Sequence, residues 1–241
     1  MNYVIGDIHG CYEAYAALMD KLALTEEDEV YVLGDGVDRG PEPIRVLQDL
    51  MARDNVTYLL GNHDVMMLQV LRPLMEEITA QSLEQLPEDL VPACQSWMYN
   101  GGGVTLEQFL ALPREEQGDI LDYLEQAPAY AAVEVGEKLF VLVHAGLDHF
   151  DPHKELEDYP IRDLVWARPD YGRRYFPGER IVLVTGHTPT PLIRPDRRPL
   201  IYTGQGHAAI DCGCVFGGQL AAFCLETERA CYTTQPSDDP Q

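Results

Sequence analysis

The stretch NYVIGDIHG, residues 2–10, places a short apolar run directly before a glycine and a pair of polar side chains. The same arrangement recurs in VYVLGDGVDRG, residues 30–40, and in VTYLLGNHD, residues 56–64. Continuous apolar runs joined by helices are typical of a largely parallel, buried sheet, so the N-terminal third predicts an α/β fold. The helical spacing of apolar residues that follows each run predicts helices at about residues 12–22, 41–53 and 64–77.

The centre of the chain has a different pattern. Residues 68–130 show helical spacing, several prolines and the turn NGGG at 100–103, without a strong strand signal until the 130s. We interpret this segment as a helical insertion in a single domain of residues 1–241. Strands are expected again at 139–143 and 181–185. Gly-rich turns favour an antiparallel meander for the last expected strands, at 199–203, 208–211, 219–225 and 229–234.

The composition of the chain limits its partners. Its 17 Lys and Arg against 40 Asp and Glu give a net charge of −23, which disfavours binding to nucleic acid and to anionic membranes. No apolar run reaches the roughly 18 residues of a membrane-spanning helix, and the first residues do not read as a signal peptide. The six cysteines lack the spacing of a disulfide framework, so we expect reduced thiols in a cytoplasmic protein.

Polar clusters follow five of the predicted strands. They are GDIHG at 6–10, GDGVDRG at 34–40, GNHD at 61–64, HAG at 144–146 and GHT at 186–188. Because ligands of an open α/β sheet collect beyond the carboxyl ends of its strands, we expect these clusters to converge. Carboxylate and imidazole groups suit Mn, Fe or Zn, and a carboxylate such as Asp35 can bridge two cations. The sequence therefore predicts a site for two metal ions.

The distribution of the histidines supports one shared site. A single Asp-x-His pair is weak support for metal binding, but five polar clusters at strand ends are difficult to explain by packing alone. Four of the seven histidines lie in the clusters, namely His9, His63, His144 and His187. The remaining three, which we interpret as surface or loop residues, are His149, His153 and His207.

The five clusters together resemble the signature of the calcineurin-like metallophosphoesterases. They are most similar to the branch that holds serine/threonine phosphoprotein phosphatases, lambda-type phage phosphatase and the bacterial symmetrical dinucleoside tetraphosphatases. The resemblance runs from Tyr3 to about Leu225 and covers the insertion at about 68–130 least. It implies two mixed sheets packed face to face with helices outside, a four-layer α/β/β/α sandwich that carries a helical cap insertion.

The resemblance also implies roles for individual residues and two bound divalent transition metal ions. Mn is the expected metal, with Fe, Zn and Ni as alternatives. The implied metal ligands are Asp7, His9, Asp35, Asn62, His144 and His187. His63 is the implied general acid, which Asp38 orients beside the leaving group. Arg39 and Arg168, together with Asn62, are the implied phosphate-binding residues.

The implied reaction is hydrolysis of a phosphate ester, and the substrate remains open between three interpretations. Our first choice is a serine/threonine protein phosphatase. The alternative is a symmetrical dinucleoside tetraphosphate hydrolase, and a non-catalytic, metal-dependent binding protein is the alternative of another class. An intact set of His63, Asp38 and Arg39 disfavours the binding protein, because a scaffold needs neither a proton donor nor a phosphate clamp.

Three departures from the phosphoprotein phosphatase pattern bear on this choice. That pattern reads GDYVDRG, GNHE and HGG, whereas this chain has Gly36, Asp64 and Ala145 at the corresponding positions. The neighbouring Asp38-Arg39 pair follows the protein phosphatases instead. In the insertion, Trp97, Tyr99 and Asn100 are candidates for contact with a base or a peptide, although we favour simple packing for Trp97. The sequence does not predict an oligomeric state.

Overall fold

The computed structural model describes residues 1–75 and 86–234. Within these ranges, one sheet has the strand order β10-β9-β1-β2-β3. Its strands are β1 Asn2–Ile5, β2 Glu29–Val32, β3 Val56–Tyr58, β9 Ala221–Cys224 and β10 Arg229–Tyr232. β1, β2 and β3 are parallel, with Tyr3 opposite Val30 and Val30 opposite Val56. β9 and β10 extend the sheet beyond β1 in antiparallel pairs.

The other sheet has the order β4-β5-β6-β8-β7. Its strands are β4 Tyr130–Val135, β5 Lys138–Val143, β6 Ile181–Thr185, β7 Tyr202–Gly204 and β8 His207–Ala209. The three central strands are parallel, and β4 and β7 pair antiparallel at the two edges. Both sheets are therefore mixed, and the carboxyl ends of the parallel strands in each sheet open towards one site.

Helices flank the sheets on the outside. They are α1 Tyr12–Leu22, α2 Pro43–Met51, α3 Asn62–Leu71, α4 Leu90–Tyr99, α5 Gly103–Leu110, α6 Arg114–Gln126 and α7 Ile161–Val165. Short 3-10 turns lie at Arg72–Met75, Leu156–Asp158, Thr190–Leu192 and Cys214–Phe216. None of the helices in the described ranges is long and apolar enough to cross a membrane.

The alternation of side chains along β1 builds two cores at once. Val4 faces the space between the sheets, where it packs with Phe140 and Phe223. Ile5 faces the opposite side, where helices cover the first sheet. A third apolar cluster around Val141 covers the outer face of the second sheet. The predicted layers of two mixed sheets with helices outside are confirmed.

The central helices share a core with the helices before them. Trp97 of α4, Phe109 of α5 and Leu121 of α6 are fully or almost fully buried, and they pack in one cluster with residues of α1, α2 and α3. The helical character predicted for residues 68–130 holds where the structure describes them. Residues 76–85 lie outside the described ranges.

The prediction of an antiparallel meander for the last four strands is wrong. β7 and β8 form one hairpin that joins the second sheet, where β8 pairs parallel with β6. β9 and β10 form another hairpin, which joins the first sheet beside β1. The apolar pattern and the turns identify a hairpin, but they carry no information on which sheet edge accepts it. The chain instead crosses between the sheets at residues 210–220.

Two local predictions also need correction. His207, which we predicted to be a surface or loop residue, lies in β8 and is only 2% exposed, because this strand is covered on both faces. Its Nε2 lies 2.8 Å from Thr185 Oγ1. α3 begins at Asn62, two residues earlier than predicted. The Asp64 carboxylate accepts the Gly61 N–H (2.8 Å), and this bond satisfies a free donor at the start of the helix.

Candidate active site

Loops that follow five strands bring the predicted metal ligands together. The loops after β1, β2, β3, β5 and β6 carry, in this order, Asp7 with His9, Asp35, Asn62, His144 and His187. All but His187 are at most 4% exposed. Such a density of buried polar groups requires partners for each of them.

The backbone of these loops adopts an unfavourable conformation at several positions. His9, Asp35, Asp38, Arg39 and His187 all have φ between 46° and 68°, a left-handed region that residues with a side chain seldom occupy. Each such residue costs of order 1–3 kcal/mol, which the surrounding structure must offset. Strain of this kind concentrates at functional sites, and here it aims five polar side chains at one point.

The first group of candidate ligands surrounds His9. Its Nδ1 donates to the Val37 carbonyl (2.8 Å), so the neutral ring has a lone pair on Nε2. This nitrogen lies 3.6 Å from Asp35 Oδ2 and 3.9 Å from Asp7 Oδ2. Burial, followed by the nearby Arg39 charge, lowers the pKa of His9 well below its ordinary value. The ring is therefore neutral, which is the form that binds metal ions.

The second group surrounds His144. Its Nδ1 donates to the Leu33 carbonyl (2.6 Å), which leaves the lone pair of Nε2 facing Asn62 Oδ1 (2.9 Å) and Asp35 Oδ2 (3.5 Å). His187 Nδ1 is also 2.9 Å from Asn62 Oδ1, and its buried Nε2 has no hydrogen-bond partner in the described part of the chain. Acceptor atoms that face one another in this way are the arrangement that a bound cation satisfies.

The donor set fits two divalent metal ions. Asp35 belongs to both groups, so its carboxylate is placed to bridge them. Burial, with the charge of its neighbour Asp7, raises the pKa of Asp35 well above its ordinary value. Burial, with the charge of Asp211, does the same to the pKa of Asp7. Cations between these carboxylates would offset both their desolvation and their repulsion.

The carboxylate of Asp38 is at the centre of a buried hydrogen-bond network. Its Oδ2 accepts from His63 Nδ1 (2.7 Å) and from the indole Nε1 of Trp97 (2.8 Å), while Oδ1 accepts from Thr105 Oγ1 (2.6 Å). His63 is thus held with Nε2 towards the site. Burial lowers the pKa of His63, and the bond to Asp38 opposes that shift.

Trp97 and Thr105 belong to the site through Asp38, although the sequence did not identify either residue in this role. Trp97 is fully buried, as the packing interpretation requires, yet it also fixes Asp38 from the insertion. The general rule that a buried indole N–H needs an acceptor was the available signal. Of the other two candidates in this segment, Asn100 lines the cavity beside the metal residues, whereas Tyr99 is 92% exposed and is not among its lining residues.

Two of the departures from the protein phosphatase pattern meet at Tyr58 of β3. The Tyr58 hydroxyl accepts the Gly36 N–H (2.6 Å) and donates to the Asp64 carboxylate (2.9 Å). A Cβ at Gly36 would lie 2.9 Å from that hydroxyl, so a larger residue at 36 requires Tyr58 to move. Asp64 also accepts the Asp35 N–H (3.0 Å). These residues tie the loops after β2 and β3 together.

The cavity above the metal residues measures about 500 Å³ and contains both predicted arginines. Arg39 donates to His9 Nε2 (2.5 Å) and His63 Nε2 (2.8 Å), and its guanidinium lies 5.2 Å from the centre of the Phe216 ring. Arg168 is exposed on another wall. Burial and, as the second cause, the charge of Arg168 lower the pKa of His187 to about 4.

The sequence pattern of the calcineurin-like phosphoesterases matches residues 3–225. The chain belongs to the calcineurin-like phosphoesterase family. It is accordingly a hydrolase of a family that depends on divalent metal ions. The intact constellation of buried carboxylates, histidines and one asparagine agrees with this membership.

Individual relatives of this calcineurin-like phosphoesterase carry nucleotide names. "Bis(5'-nucleosyl)-tetraphosphatase PrpE (asymmetrical)" of Bacillus subtilis (strain 168) is 31% identical over 250 residues, 91% of this chain and 88% of that one. "Bis(5'-nucleosyl)-tetraphosphatase, symmetrical" of Delftia acidovorans is 33% identical over 149 residues, 60% of this chain and 44% of the relative. A solved structure of a candidate diadenosine tetraphosphatase shares the fold, with a TM-score of 0.64 and 20% identity over 96% of this chain and 91% of that one.

Proposed function

We propose that this phosphoesterase hydrolyses dinucleoside tetraphosphates. The observation that carries the proposal is the similarity to named tetraphosphatases along nearly the whole chain, 91% of its length in the Bacillus subtilis relative. The cavity of about 500 Å³ supports it, since that volume exceeds what a single phosphoryl group requires. The serine/threonine phosphatase that the sequence favoured has less support, because relatives that match 91% of this chain carry the name of a bis(5'-nucleosyl)-tetraphosphatase.

We further propose asymmetrical cleavage, which releases a nucleoside monophosphate and a nucleoside triphosphate. The sequence favoured the symmetrical form as the nucleotide alternative. The relative named as asymmetrical matches 91% of this chain, whereas the Delftia acidovorans relative named as symmetrical matches 60%. Which phosphorus is attacked depends on where the nucleosides are held relative to the metal residues.

In this proposal Asp7, His9 and Asp35 would hold one ion, and Asp35 would also contribute to a second. Asn62, His144 and His187 would complete the second position. Two divalent ions, Mn in our proposal, neutralise phosphoryl charge and provide hydroxide from water when they are bound. The protein supplies the shape and the charge of the buried site, in which each ring nitrogen that faces the ions is kept unprotonated by burial.

The remaining polar residues act on the phosphate and on the leaving oxygen. Arg39, Arg168 and the Asn62 amide are placed to donate hydrogen bonds to phosphoryl oxygens. His63 Nε2, which accepts a hydrogen bond from Arg39 in this structure, is placed to give a proton to the leaving oxygen once the ring is protonated, and Asp38 orients the ring through Nδ1. A phosphate anhydride has a more acidic leaving group than an alkyl ester, so it depends less on this proton.

We also propose that residues 1–241 form a single domain with a helical cap insertion at about 68–130, and that the protein acts in the cytoplasm. The common core of α1 to α6 supports the single domain. The cysteines in the described ranges are free thiols, which supports a reducing compartment.

The test measures hydrolysis by the metal-stripped protein after addition of Mn, with the nucleotide products identified for diadenosine tetraphosphate and phosphate release measured in parallel for a phosphothreonine peptide. We expect AMP and ATP from the nucleotide and little release from the peptide. Two molecules of ADP would replace the asymmetrical proposal by the symmetrical one. A clear preference for the peptide would overturn the nucleotide proposal and restore the protein phosphatase.

A further inference from the structure

A second, apolar groove of about 690 Å³ adjoins the cavity of the metal residues. The indole of Trp166 lines both spaces and is therefore the wall between them. Val65, Leu68 and Ile161 contribute apolar surface to the groove, and Gln69 and Arg162 contribute polar groups. The groove thus shares the Trp166 side chain with the proposed phosphate site, and it contains none of the candidate metal ligands.

Helix α3 connects the two spaces. Its first residues, Asn62 and His63, line the cavity of the metal residues. One and two turns later, Val65, Leu68 and Gln69, which are spaced three and four residues apart on one helix face, line the groove. With a rise of 1.5 Å per residue, Gln69 lies about 10 Å along the axis from Asn62. A ligand that occupies both spaces must therefore be extended.

The opposite side of the groove is helix α7 and the residue after it. Leu164 and Val165 of this helix are buried, whereas Ile161 is 49% and Trp166 is 42% exposed. A single exposed apolar residue needs no explanation, but Trp166 and Ile161 are both exposed and line the same groove, to which they add apolar surface. Arg162 and Arg168 lie on either side of Trp166 in the sequence and add positive charge to a chain of net charge −23.

The other exposed aromatic residue at the cavity, Phe216, has a different environment. The guanidinium of Arg39 lies 5.2 Å from the centre of its ring, so Phe216 contacts a residue that we assign to phosphate binding. Trp166 instead contacts the His187 ring edge to face, with 6.2 Å between the centroids. Trp166 also lines the groove, whereas Phe216 does not, so Trp166 is the platform available to a planar group in the groove.

We propose that the groove binds one nucleobase of the dinucleoside tetraphosphate, stacked on Trp166. This inference rests on the proposed function and extends it to the nucleoside that lies away from the metal residues. In this proposal Ile161 and Leu68 contact the base, and Gln69 offers an amide to its polar edge. Arg162 and Arg168 lie beside the polyphosphate. The purine then lies on the apolar surface of the groove, and the polyphosphate extends past Trp166 and Arg168 towards the metal residues.

The experiment compares two matched variants of the full-length, Mn-loaded protein, Ile161→Glu and Val91→Glu. Both positions are exposed aliphatic residues in the first turn of a helix, and Val91 is outside the groove and the cavity. The measured quantity is the ratio of kcat/KM for diadenosine tetraphosphate to kcat/KM for p-nitrophenyl phosphate, which has no nucleoside. Ile161→Glu places a carboxylate beside the base that is stacked on Trp166, so we expect this ratio to fall about ten-fold, mainly through KM.

The control Val91→Glu should leave the ratio within about two-fold of the wild-type value. Trp166→Leu serves as a second variant, with bound Mn measured directly because Trp166 contacts His187; with metal retained, we expect a similar fall of the ratio. A ratio that neither groove variant changes, while the wild type cleaves the nucleotide, would overturn the subsite and leave the proposed function intact. A wild-type protein that cleaves only p-nitrophenyl phosphate would overturn both proposals.

Discussion

The floor and the rim of the cavity differ in how far their side chains are exposed to solvent. The floor, formed by Asp7, His9, Asp35, Asn62 and His144, is at most 4% exposed, and its polar atoms face one another within a few ångströms. The rim, formed by Trp166, Arg168, Leu192 and Phe216, is open to solvent, with Leu192 76% and Phe216 65% exposed. The polar atoms of the floor residues have fixed partners, whereas the exposed rim positions can accept other residue types.

We infer from this difference in burial that the floor determines the reaction and that the rim determines the choice of substrate. A site for two cations requires particular ligand atoms at particular distances, so the floor has few alternatives. A nucleoside or a peptide side chain requires only apolar area and a few polar groups, which many residue types provide. We therefore expect changes in the floor to alter metal binding and turnover, and changes in the rim to alter the choice between substrates.

The largest effects should come from the floor and its proton donor. Asp35→Asn weakens the bridge between both ligand groups, so the variant should lose bound metal and with it nearly all activity. His63→Asn should retain metal but lose about 10²–10⁴-fold in kcat for alkyl phosphates, because the general acid is removed. The loss should be smaller for diadenosine tetraphosphate, which has a better leaving group. Metal content by elemental analysis and kcat for both substrates distinguish the two variants.

His63 is a close neighbour of the first ligand group, since its ring nitrogen, His9 and Asp35 also form a compact set of potential ligands. Loss of metal from His63→Asn would therefore assign His63 to the ion and not to the leaving group. Val91→Ala, an exposed change on α4, is the control for handling and metal loading.

The sequence predicts the floor far better than it predicts the rim. Asp35 and His144 are recognisable because ligand chemistry restricts the residue type and because each follows an apolar strand. Trp97 could not be assigned to the network of Asp38 from the sequence, since the two residues are 59 positions apart and packing explained Trp97 equally well. The division of the last strands between two sheets was missed because period and turns specify pairing only locally.

Tyr58→Phe tests whether the floor depends on the bonds that hold its loops. The change leaves the Gly36 N–H without its acceptor and removes a donor to Asp64, so we expect a loss of about 2 kcal/mol of unfolding free energy at pH 7.5. Burial raises the pKa of Asp64 to about 6, above the value of about 4 in the unfolded chain. The folded state therefore binds a proton more tightly than the unfolded state. The contribution of Asp64 to stability falls as the pH rises from about 4 to about 6.

Loss of the Tyr58 hydroxyl removes a bond to the charged carboxylate, so the penalty should be larger at pH 7.5 than at pH 5, where Asp64 can be protonated. Urea denaturation of wild type and variant at both pH values, in EDTA to exclude metal binding, measures the difference. An equal penalty at both pH values would show that the hydroxyl acts only through Gly36.

Trp97→Phe tests the support of the floor from the insertion. The variant retains an aromatic side chain but loses the indole N–H that donates to Asp38 Oδ2. We expect kcat for an alkyl phosphate to fall about ten-fold, the equivalent of one hydrogen bond to a charged group, with KM changed little. A purely structural role would lower stability without this split, so kcat, KM and the unfolding midpoint are measured together. Phe109→Leu, also buried in the helical core but not bonded to Asp38, is the matched control.

Phe216→Leu should give the smallest effect and sharpens the distinction within the rim. Its ring contacts the guanidinium of Arg39, and an exposed cation–π contact of about 0.5–1 kcal/mol corresponds to a loss of two- to five-fold in kcat/KM. Because Arg39 is assigned to the phosphate that all substrates share, diadenosine tetraphosphate and p-nitrophenyl phosphate should lose activity equally. Leu110→Ala, an exposed change on α5, is the control. A loss confined to the nucleotide would make Phe216 a base platform like Trp166, and the rim would then hold both nucleosides.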